Sequence, residues 1–198
     1  DDRMRSVFDG VRSRVLPEAP DELRRGCHLQ GNEFNVTLKP NFETGSTRAR
    51  EVIDDALVYL IDLLGNVVAS ELGVGAADGA ASSEDAADGA GSASEQDTQD
   101  SLTPASAWAR SFYGRADPEI RGVLERTGEF PDADPDELPA AVAETFDRID
   151  VAYYEADAAE IGSLELNKVV GVEAALDVLG VEDPFALVMG DSKSDGRV

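Results

Sequence analysis

An acidic tract of small residues divides this chain into two parts, and these two parts together must form the folded structure. Residues 75–101 begin "GAADGAASSEDAADGAGSASEQDTQD" and contain no aromatic residue and no Leu, Ile or Val. A segment of this composition cannot bury enough apolar surface to offset the entropy lost on ordering. We therefore predict a disordered acidic insertion over residues 75–101, with the hydrophobic core assembled from the sequence on either side of it.

The charge balance argues against two classes of partner. The 198 residues include 41 acids and 17 bases, for a net charge of -24, and 42% of them are hydrophobic, which can supply a core. A field of this sign repels nucleic acid phosphates and anionic membrane surfaces, so neither is expected as a partner. Lysine occurs only at positions 39, 168 and 193, and an acidic, lysine-poor surface favours a halophilic source with a salt-rich cytoplasm.

The cysteine content and the hydropathy predict a soluble cytoplasmic protein. Cys27 is the one cysteine, which excludes an internal disulfide and favours a reducing compartment. No apolar stretch approaches the length of a membrane span, and no signal peptide is visible at the N-terminus.

Two segments before the acidic tract have helical periodicity. Residues 3–16 place apolar side chains on one side and arginines on the other, which predicts a short amphipathic helix. The stretch "GSTRAREVIDDALVYLIDLLGN" predicts a longer helix with Ser46 or Thr47 as its N-cap and Gly65 as its C-terminal stop. A short strand is predicted after it, within residues 66–74.

Three other segments alternate with the period of a strand. The first is "FNVTLKP", which places Phe34, Val36 and Leu38 on one face and Asn35, Thr37 and Lys39 on the other. The other two, "VAYYEAD" and "AEIGSLEL", are joined by a turn-like "DAAE". Between the acidic tract and these two strands, Pro and Gly separate two or three helical segments, whose Trp108, Phe112 and Tyr113 are predicted core residues.

One of the three lysines opens a predicted helix near the C-terminus. Lys168 follows Asn167, a good N-cap, and the helix "KVVGVEAALDVLG" is predicted to end at Gly180. The helix macrodipole disfavours a cation in the first turn. A nearby anion, either a phosphate or a carboxylate cluster, would explain the position of Lys168; the alternative is an exposed lysine without a role.

The segment after this helix has the pattern of a buried parallel strand followed by a polar loop. "FALVMG" is short and apolar, and "GDSKSD" follows at the end of the strand where ligands of parallel sheets collect. A turn would bring Asp191 and Asp195 to one side, and Mg²⁺ takes one or two protein carboxylates near a phosphate. The alternative is a loop in which these aspartates only cap a helix.

The order of these elements, "EIGSLELNK", helix, "LGVEDPFALVMGDSKSD", resembles the C-terminal half of haloacid dehalogenase superfamily phosphatases. The resemblance is to the large-cap group, which includes the Cof-type, sucrose-phosphate and archaeal phosphoglycolate phosphatases. It implies that Lys168 neutralises the phosphoryl group and the nucleophile, that Asp191 binds Mg²⁺, and that Asp195 assists the metal or holds Lys168. Asn167 and Ser192 are further candidates for substrate contacts.

The resemblance also implies a domain organisation. It predicts an α/β protein with a partial Rossmann-like core and an α+β cap, whose strands form an antiparallel sheet above the active site. Residues 1–28 would be a connecting helix and linker, residues 29–165 the cap, and residues 166–198 the C-terminal part of the core. The family's nucleophilic aspartate is not found in this chain and is expected upstream of residue 1, because Asp9 in "VFDG" lacks the second aspartate of the motif and is predicted to lie on a helix or turn.

These features together predict a Mg²⁺-dependent phosphatase that acts on a small phosphorylated metabolite, such as a sugar phosphate or phosphoglycolate, through an aspartyl-phosphate intermediate. The chain without its nucleophile is expected to be inactive. Two alternatives stay open: a non-catalytic α+β binding or regulatory module, and a phosphosugar mutase of the same superfamily. The sequence does not name the substrate or the oligomeric state.

Overall fold

The computed structural model describes residues 2–74, 103–131, 138–166 and 168–180. The helices within these ranges are α1 (Asp2–Arg14), α2 (Asp21–Gly26), α3 (Thr47–Leu72), α4 (Pro104–Ala116), α5 (Pro118–Arg126), α6 (Ala140–Phe146) and α7 (Lys168–Leu179). The strands are β1 (Cys27–Gln30), β2 (Asn35–Pro40), β3 (Ile149–Tyr154) and β4 (Ala158–Ser163). The acidic tract, residues 75–101, lies outside the described residues.

The first helix confirms the amphipathic pattern of the N-terminal segment. α1 buries Met4, Val7, Phe8 and Val11, whereas Asp9 is exposed on its other side. The "VFDG" sequence is therefore part of a helix, as predicted.

The start of the long helix α3 is as predicted, but the predicted end is wrong. Ser46 is the N-cap, and its side-chain oxygen accepts a hydrogen bond from the Ala49 N–H at 3.1 Å. The helix continues through Gly65 to Leu72 and ends at Gly73, whose φ of 64° is in the left-handed region that glycine adopts readily. The short strand predicted within residues 66–74 is therefore the last part of α3.

Gly65 allows two helices to pack closely, and it does not end a helix. A Cβ atom at Gly65 would lie only 2.4 Å from the carbonyl oxygen of Ala105 on α4. Glycine in a helix interior costs about 0.5–1 kcal/mol relative to alanine. The close approach of α3 and α4 that it permits explains why a glycine occupies this position without ending the helix.

The four strands form one antiparallel sheet in the order β1-β2-β4-β3. Strands β2, β3 and β4 overlap the three predicted strands, and β1 adds an unpredicted fourth strand on the edge. The turn predicted at residues 157–160 is wrong, because β4 already begins at Ala158 and the turn lies at residues 155–157. The register pairs Leu29 with Leu38 and Val36 with Ile161. Since β1 begins at Cys27, the sheet starts just before the domain boundary expected after residue 28.

One hydrophobic core joins the inward face of the sheet to helices α1 to α6. On the sheet side it contains Val36, Leu38, Val151 and Ile161, each at most 5% exposed. Helices α1 and α2, in the segment predicted to be a connection, contribute side chains to the same core. The predicted aromatic core residues belong to it as well, with Tyr113 buried and with Trp108 and Phe112 packed against it.

The observed fold is a mixed one of the α+β type with an antiparallel sheet, in agreement with the architecture predicted for the cap. Helix α7 starts at Lys168 and is followed by Gly180 with a φ of 65°, as the sequence indicates. Within residues 166–198, assigned to a Rossmann-like core, α7 is the only helix or strand among the described residues. Neither α7 nor any other helix in the described part of the chain is long and apolar enough to span a membrane.

Candidate functional site

The predicted phosphate-binding lysine lies where the chain leaves the sheet. β4 ends at Ser163, and the Leu164 N–H donates to the Arg148 carbonyl oxygen at 3.0 Å, which ties the exit of β4 to the residue just before β3. Helix α7 follows in the sequence, and its first residue is Lys168. An N-terminal position on a helix of 12 residues is one at which backbone N–H groups bind anions.

The other predicted site residues cannot be placed relative to Lys168. Asn167, Asp191, Ser192 and Asp195 all lie outside the described residues. Among the residues that are described, there is no group of three or more His, Cys, Asp or Glu side chains that could hold a metal ion. The predicted Mg²⁺ ligands in "GDSKSD" therefore stay a prediction from sequence.

The structure does reveal a polar surface on the face of the sheet that points away from the core. Because side chains alternate along a strand, burial of Val36 and Leu38 turns Asn35, Thr37 and Lys39 to the opposite face. This is the division that the sequence predicts for β2. We refer to this surface, formed by outward residues of the four strands, as the outer sheet face.

Glu160 of β4 lies at the centre of the outer sheet face. In the register it pairs with Thr37 on one side and with Ala152 on the other. The Asn35 amide donates to one of its carboxylate oxygens at 2.6 Å, and the Thr37 hydroxyl lies 2.8 Å from the other. The same hydroxyl is 2.7 Å from the Asn35 side-chain oxygen, and since a hydroxyl has one hydrogen it can donate to only one of these acceptors at a time.

A lysine and a histidine extend this surface toward the start of β1. The Lys39 ammonium group lies 3.1 and 3.2 Å from the two carboxylate oxygens of Asp157, and both side chains are about one third exposed. His28 pairs with Lys39 in the register. Its Nδ1 is 2.8 Å from the Asn41 side-chain oxygen, and its Nε2 is 3.0 Å from the Gln30 side-chain nitrogen. A neutral imidazole with its proton on Nδ1 satisfies both contacts.

The adjacent residues Cys27 and His28 lie on opposite faces of β1 and cannot act on each other. Cys27 is buried on the core face, whereas His28 is exposed on the other face. Burial, with a contribution from the negative charge of Asp55, raises the pKa of the Cys27 thiol to about 11. A thiol of this pKa is inert at neutral pH.

The outer sheet face can bind a polar molecule by hydrogen bonds. It carries the partly exposed side chains of Asn35, Lys39 and Glu160 and the exposed imidazole of His28. Thr37 is only 6% exposed, so its hydroxyl positions Glu160 and is not itself presented to solvent. The sequence located Asn35, Thr37 and Lys39 on one face but did not connect them with Glu160. Alternation within β4 was the available signal, yet it could not show which residue of another strand Glu160 faces.

Comparison of the chain with protein-family models, with curated proteins and with solved structures found no match in any of the three. The functional assignment therefore depends on the residues of the chain itself.

Proposed function

We propose that this chain is part of a Mg²⁺-dependent phosphomonoesterase of the haloacid dehalogenase type, acting on a small phosphorylated metabolite. The observation that carries the proposal is the position of Lys168. It is the first residue of a helix that directly follows an antiparallel α+β unit. In the sequence, the same helix leads to the apolar "FALVMG" and the carboxylates of "GDSKSD".

In this proposal the residues of the C-terminal segment have different roles at the phosphoryl group. Lys168, at a helix N-terminus, balances the charge of the phosphoryl oxygens, with Asn167 and Ser192 as further contacts. Asp191 and Asp195 supply carboxylate oxygens, the donor type that Mg²⁺ prefers. When bound, the metal would draw electron density from the phosphoryl oxygens.

The nucleophile of the proposed reaction is an aspartate expected upstream of residue 1. Its carboxylate oxygen forms a bond to phosphorus while the bond from phosphorus to the metabolite oxygen breaks, and the departing oxygen takes a proton from water. Water then cleaves the aspartyl phosphate to release inorganic phosphate. The assay must therefore use the complete reading frame that contains these 198 residues.

The outer sheet face supports the proposal because it offers groups for the part of the metabolite that carries the phosphate. The resemblance implies a cap sheet above the active site, and the outer sheet face is polar around Asn35, Thr37 and Glu160. Glu160, held in place by Asn35 and Thr37, offers a hydrogen-bond acceptor for hydroxyl groups of such a metabolite.

The test is release of p-nitrophenol from p-nitrophenyl phosphate by the complete protein, with Mg²⁺ and with excess EDTA. We expect Mg²⁺-dependent activity that Lys168→Ala and Asp191→Asn each reduce by roughly 10²-fold or more, since each removes a charge acting on the transition state. Arg121→Ala and Asp177→Asn remove a positive and a negative charge at exposed residues of α5 and α7, and should retain activity. Full activity of Lys168→Ala would rule the proposal out.

Two further measurements separate the alternatives. A phosphosugar mutase would interconvert sugar phosphates without releasing inorganic phosphate. A binding module would show no turnover of any phosphate ester, and its reading frame would lack an apolar strand ending in an aspartate motif of the DxDGT type upstream of residue 1.

A further inference from the structure

The charges on the outer sheet face restrict the kind of metabolite that this face can hold. Glu160 lies between the buried residues Ala159 and Ile161 of β4, so its side chain points away from the core. Asp150 of β3 follows the same alternation, between the buried Ile149 and Val151, and adds a second carboxylate to this face. A metabolite bound here therefore meets negative charge from two adjacent strands.

The carboxylate of Glu160 is held in place but keeps acceptor sites for a ligand. The Asn35 amide donates to one of its oxygens at 2.6 Å, and the Thr37 hydroxyl lies 2.8 Å from the other. Both contacts are with neutral groups, so neither of them cancels the negative charge. An ionised carboxylate has about four lone-pair sites, and these two contacts leave others for donors on a partly exposed side chain.

The cations at the two ends of this face are already paired. The Lys39 ammonium group lies 3.1 and 3.2 Å from the two carboxylate oxygens of Asp157. Arg148, just before β3, lies 2.6 Å from a carboxylate oxygen of Glu165. A carboxylate on a bound metabolite would therefore have to compete with Asp157 or Glu165 for a cation.

The one histidine of this face adds no positive charge. The Nδ1 of His28 is 2.8 Å from the Asn41 side-chain oxygen and its Nε2 is 3.0 Å from the Gln30 side-chain nitrogen. The first nitrogen donates and the second accepts, which is the pattern of a neutral imidazole. The face thus offers hydrogen bonds of both kinds together with an excess of negative charge.

We propose that the outer sheet face selects an uncharged, polyhydroxylated metabolite, such as a sugar or polyol that carries one phosphate, and rejects a metabolite with a carboxylate. The inference rests on the proposed phosphatase function and deepens it, because it distinguishes a sugar phosphate from phosphoglycolate. Glu160 is the residue that determines this specificity. Its oxygens accept hydrogen bonds from hydroxyl groups, and its charge repels a carboxylate.

Hydroxyl groups match this face better than an ammonium group does. A hydroxyl group both donates and accepts, whereas an ammonium group only donates. The acceptor on the face is Glu160, and the donors beside it are the Asn35 amide and the Lys39 ammonium group, both partly exposed. A polyol can use all three groups at once.

The test compares substrates in pairs that differ only by exchange of a primary alcohol for a carboxylate. The pairs are glycerol 3-phosphate with 3-phosphoglycerate, and sorbitol 6-phosphate with 6-phosphogluconate. For the complete protein with Mg²⁺ at constant ionic strength, we expect kcat/KM of the alcohol to exceed that of the acid by about tenfold or more in both pairs. p-Nitrophenyl phosphate, which has neither group, measures the phosphatase activity itself.

The outcomes separate this inference from the proposed function. Turnover of p-nitrophenyl phosphate with equal kcat/KM within the pairs, or with a preference for the acids, would overturn the inference and leave the phosphatase proposal intact. A higher kcat/KM for phosphoethanolamine than for glycerol 3-phosphate would overturn it as well, since the face would then select a cation. No turnover of any of these esters would overturn both.

Variants then assign the specificity to Glu160. Glu160→Gln removes the charge and keeps the shape, and should lower the ratio of alcohol to acid roughly threefold or more, with little change for p-nitrophenyl phosphate. Glu22→Gln makes the same change at an exposed residue of α2 and should leave the ratio unaltered. An unchanged ratio in Glu160→Gln, or an equal fall in Glu22→Gln, would contradict the assignment.

A second variant decides the matter should Glu160→Gln fail to fold. Asp157→Asn removes the partner of Lys39, at a side chain that is 39% exposed, and frees the ammonium group to pair with a carboxylate. The kcat/KM for 3-phosphoglycerate should then rise roughly threefold or more relative to glycerol 3-phosphate. No rise in this variant counts against the inference.

Discussion

Arg126 of α5 binds Asp54 of α3 through two parallel hydrogen bonds, Nε to Oδ2 at 2.7 Å and Nη2 to Oδ1 at 2.8 Å. The Tyr153 hydroxyl on β3 donates to the same carboxylate at 2.5 Å. Asp54 is 7% exposed, so this carboxylate connects two helices and the sheet at the margin of the core. The long helix is thereby fixed relative to both neighbours.

Replacement of Asp54 is expected to destabilise the protein. Asp54→Ala leaves the Tyr153 hydroxyl and the Arg126 guanidinium without their shared acceptor, and we expect the free energy of unfolding to fall by about 1.5–3 kcal/mol. Urea unfolding at constant salt, followed by circular dichroism, measures the change. Glu51→Ala on the same helix breaks an ion pair with Arg48 in which both side chains are more than half exposed, and should cost no more than about 0.5 kcal/mol. A loss of no more than about 0.5 kcal/mol in Asp54→Ala as well would mean that the network around Asp54 does not stabilise the fold.

Two glycine-to-alanine substitutions in helices should have opposite effects. Gly65→Ala places a methyl group against the Ala105 carbonyl oxygen and should destabilise by roughly 1–3 kcal/mol, as overpacking does. Gly122→Ala in α5 meets only the end of the Arg126 side chain, at 3.8 Å, and should stabilise by about 0.5–1 kcal/mol through helix propensity. The midpoints of thermal unfolding of the two variants provide the comparison. A stabilising Gly65→Ala would show that the two helices do not need this close approach.

The buried thiol predicts slow alkylation with a defined pH dependence. Because burial raises the Cys27 pKa to about 11, the reactive thiolate is scarce at pH 8, and its fraction grows about tenfold for each pH unit until pH reaches that pKa. Iodoacetamide should label the folded chain at least about 100-fold more slowly than the chain unfolded in urea, where the thiol pKa is about 8.5. Cys27 is the single cysteine, so mass spectrometry reads the reaction directly. Similar rates in the two states would contradict the buried position.

The outer sheet face yields a prediction for substrate binding by the complete protein. Thr37 is only 6% exposed, so its hydroxyl acts on a substrate through Glu160, which it holds in place. Thr37→Val removes this hydroxyl with little change in shape, and we expect KM for the phosphorylated substrate to rise roughly 3–10-fold, with a smaller change in kcat. Thr145→Val makes the same change in α6, where the hydroxyl donates to the Ala141 carbonyl oxygen inside the helical layer, and should leave KM unaltered. Unchanged KM in Thr37→Val together with intact phosphatase activity would place the substrate elsewhere.

Much of the local structure follows from the sequence because its causes are local. The apolar spacing of residues 3–16 is sufficient for α1, and alternation along "FNVTLKP" is sufficient for β2 and for the division of its side chains between two faces. Ser46 starts α3 by capping its own first turn, and a glycine ends α7, as the sequence indicates. Each of these outcomes depends on residues within a few positions of one another.

The tertiary structure decided what depends on distant parts of the chain. The sequence could not show that the helix would continue through Gly65. The glycine is explained by the close approach of the Ala105 backbone, 40 positions away in the chain. Pairing of β1 with β2, and the meeting of Glu160 with Thr37, depend on the register of the sheet. The cavity lined by α2, α3, α4 and the end of α1 likewise exists only because separate helices pack around it. By itself, the sequence determined the periodicity, the caps, the charge and the motif around Lys168; which surfaces those residues share was decided by packing, because contact energies act between neighbours in space rather than neighbours in the chain.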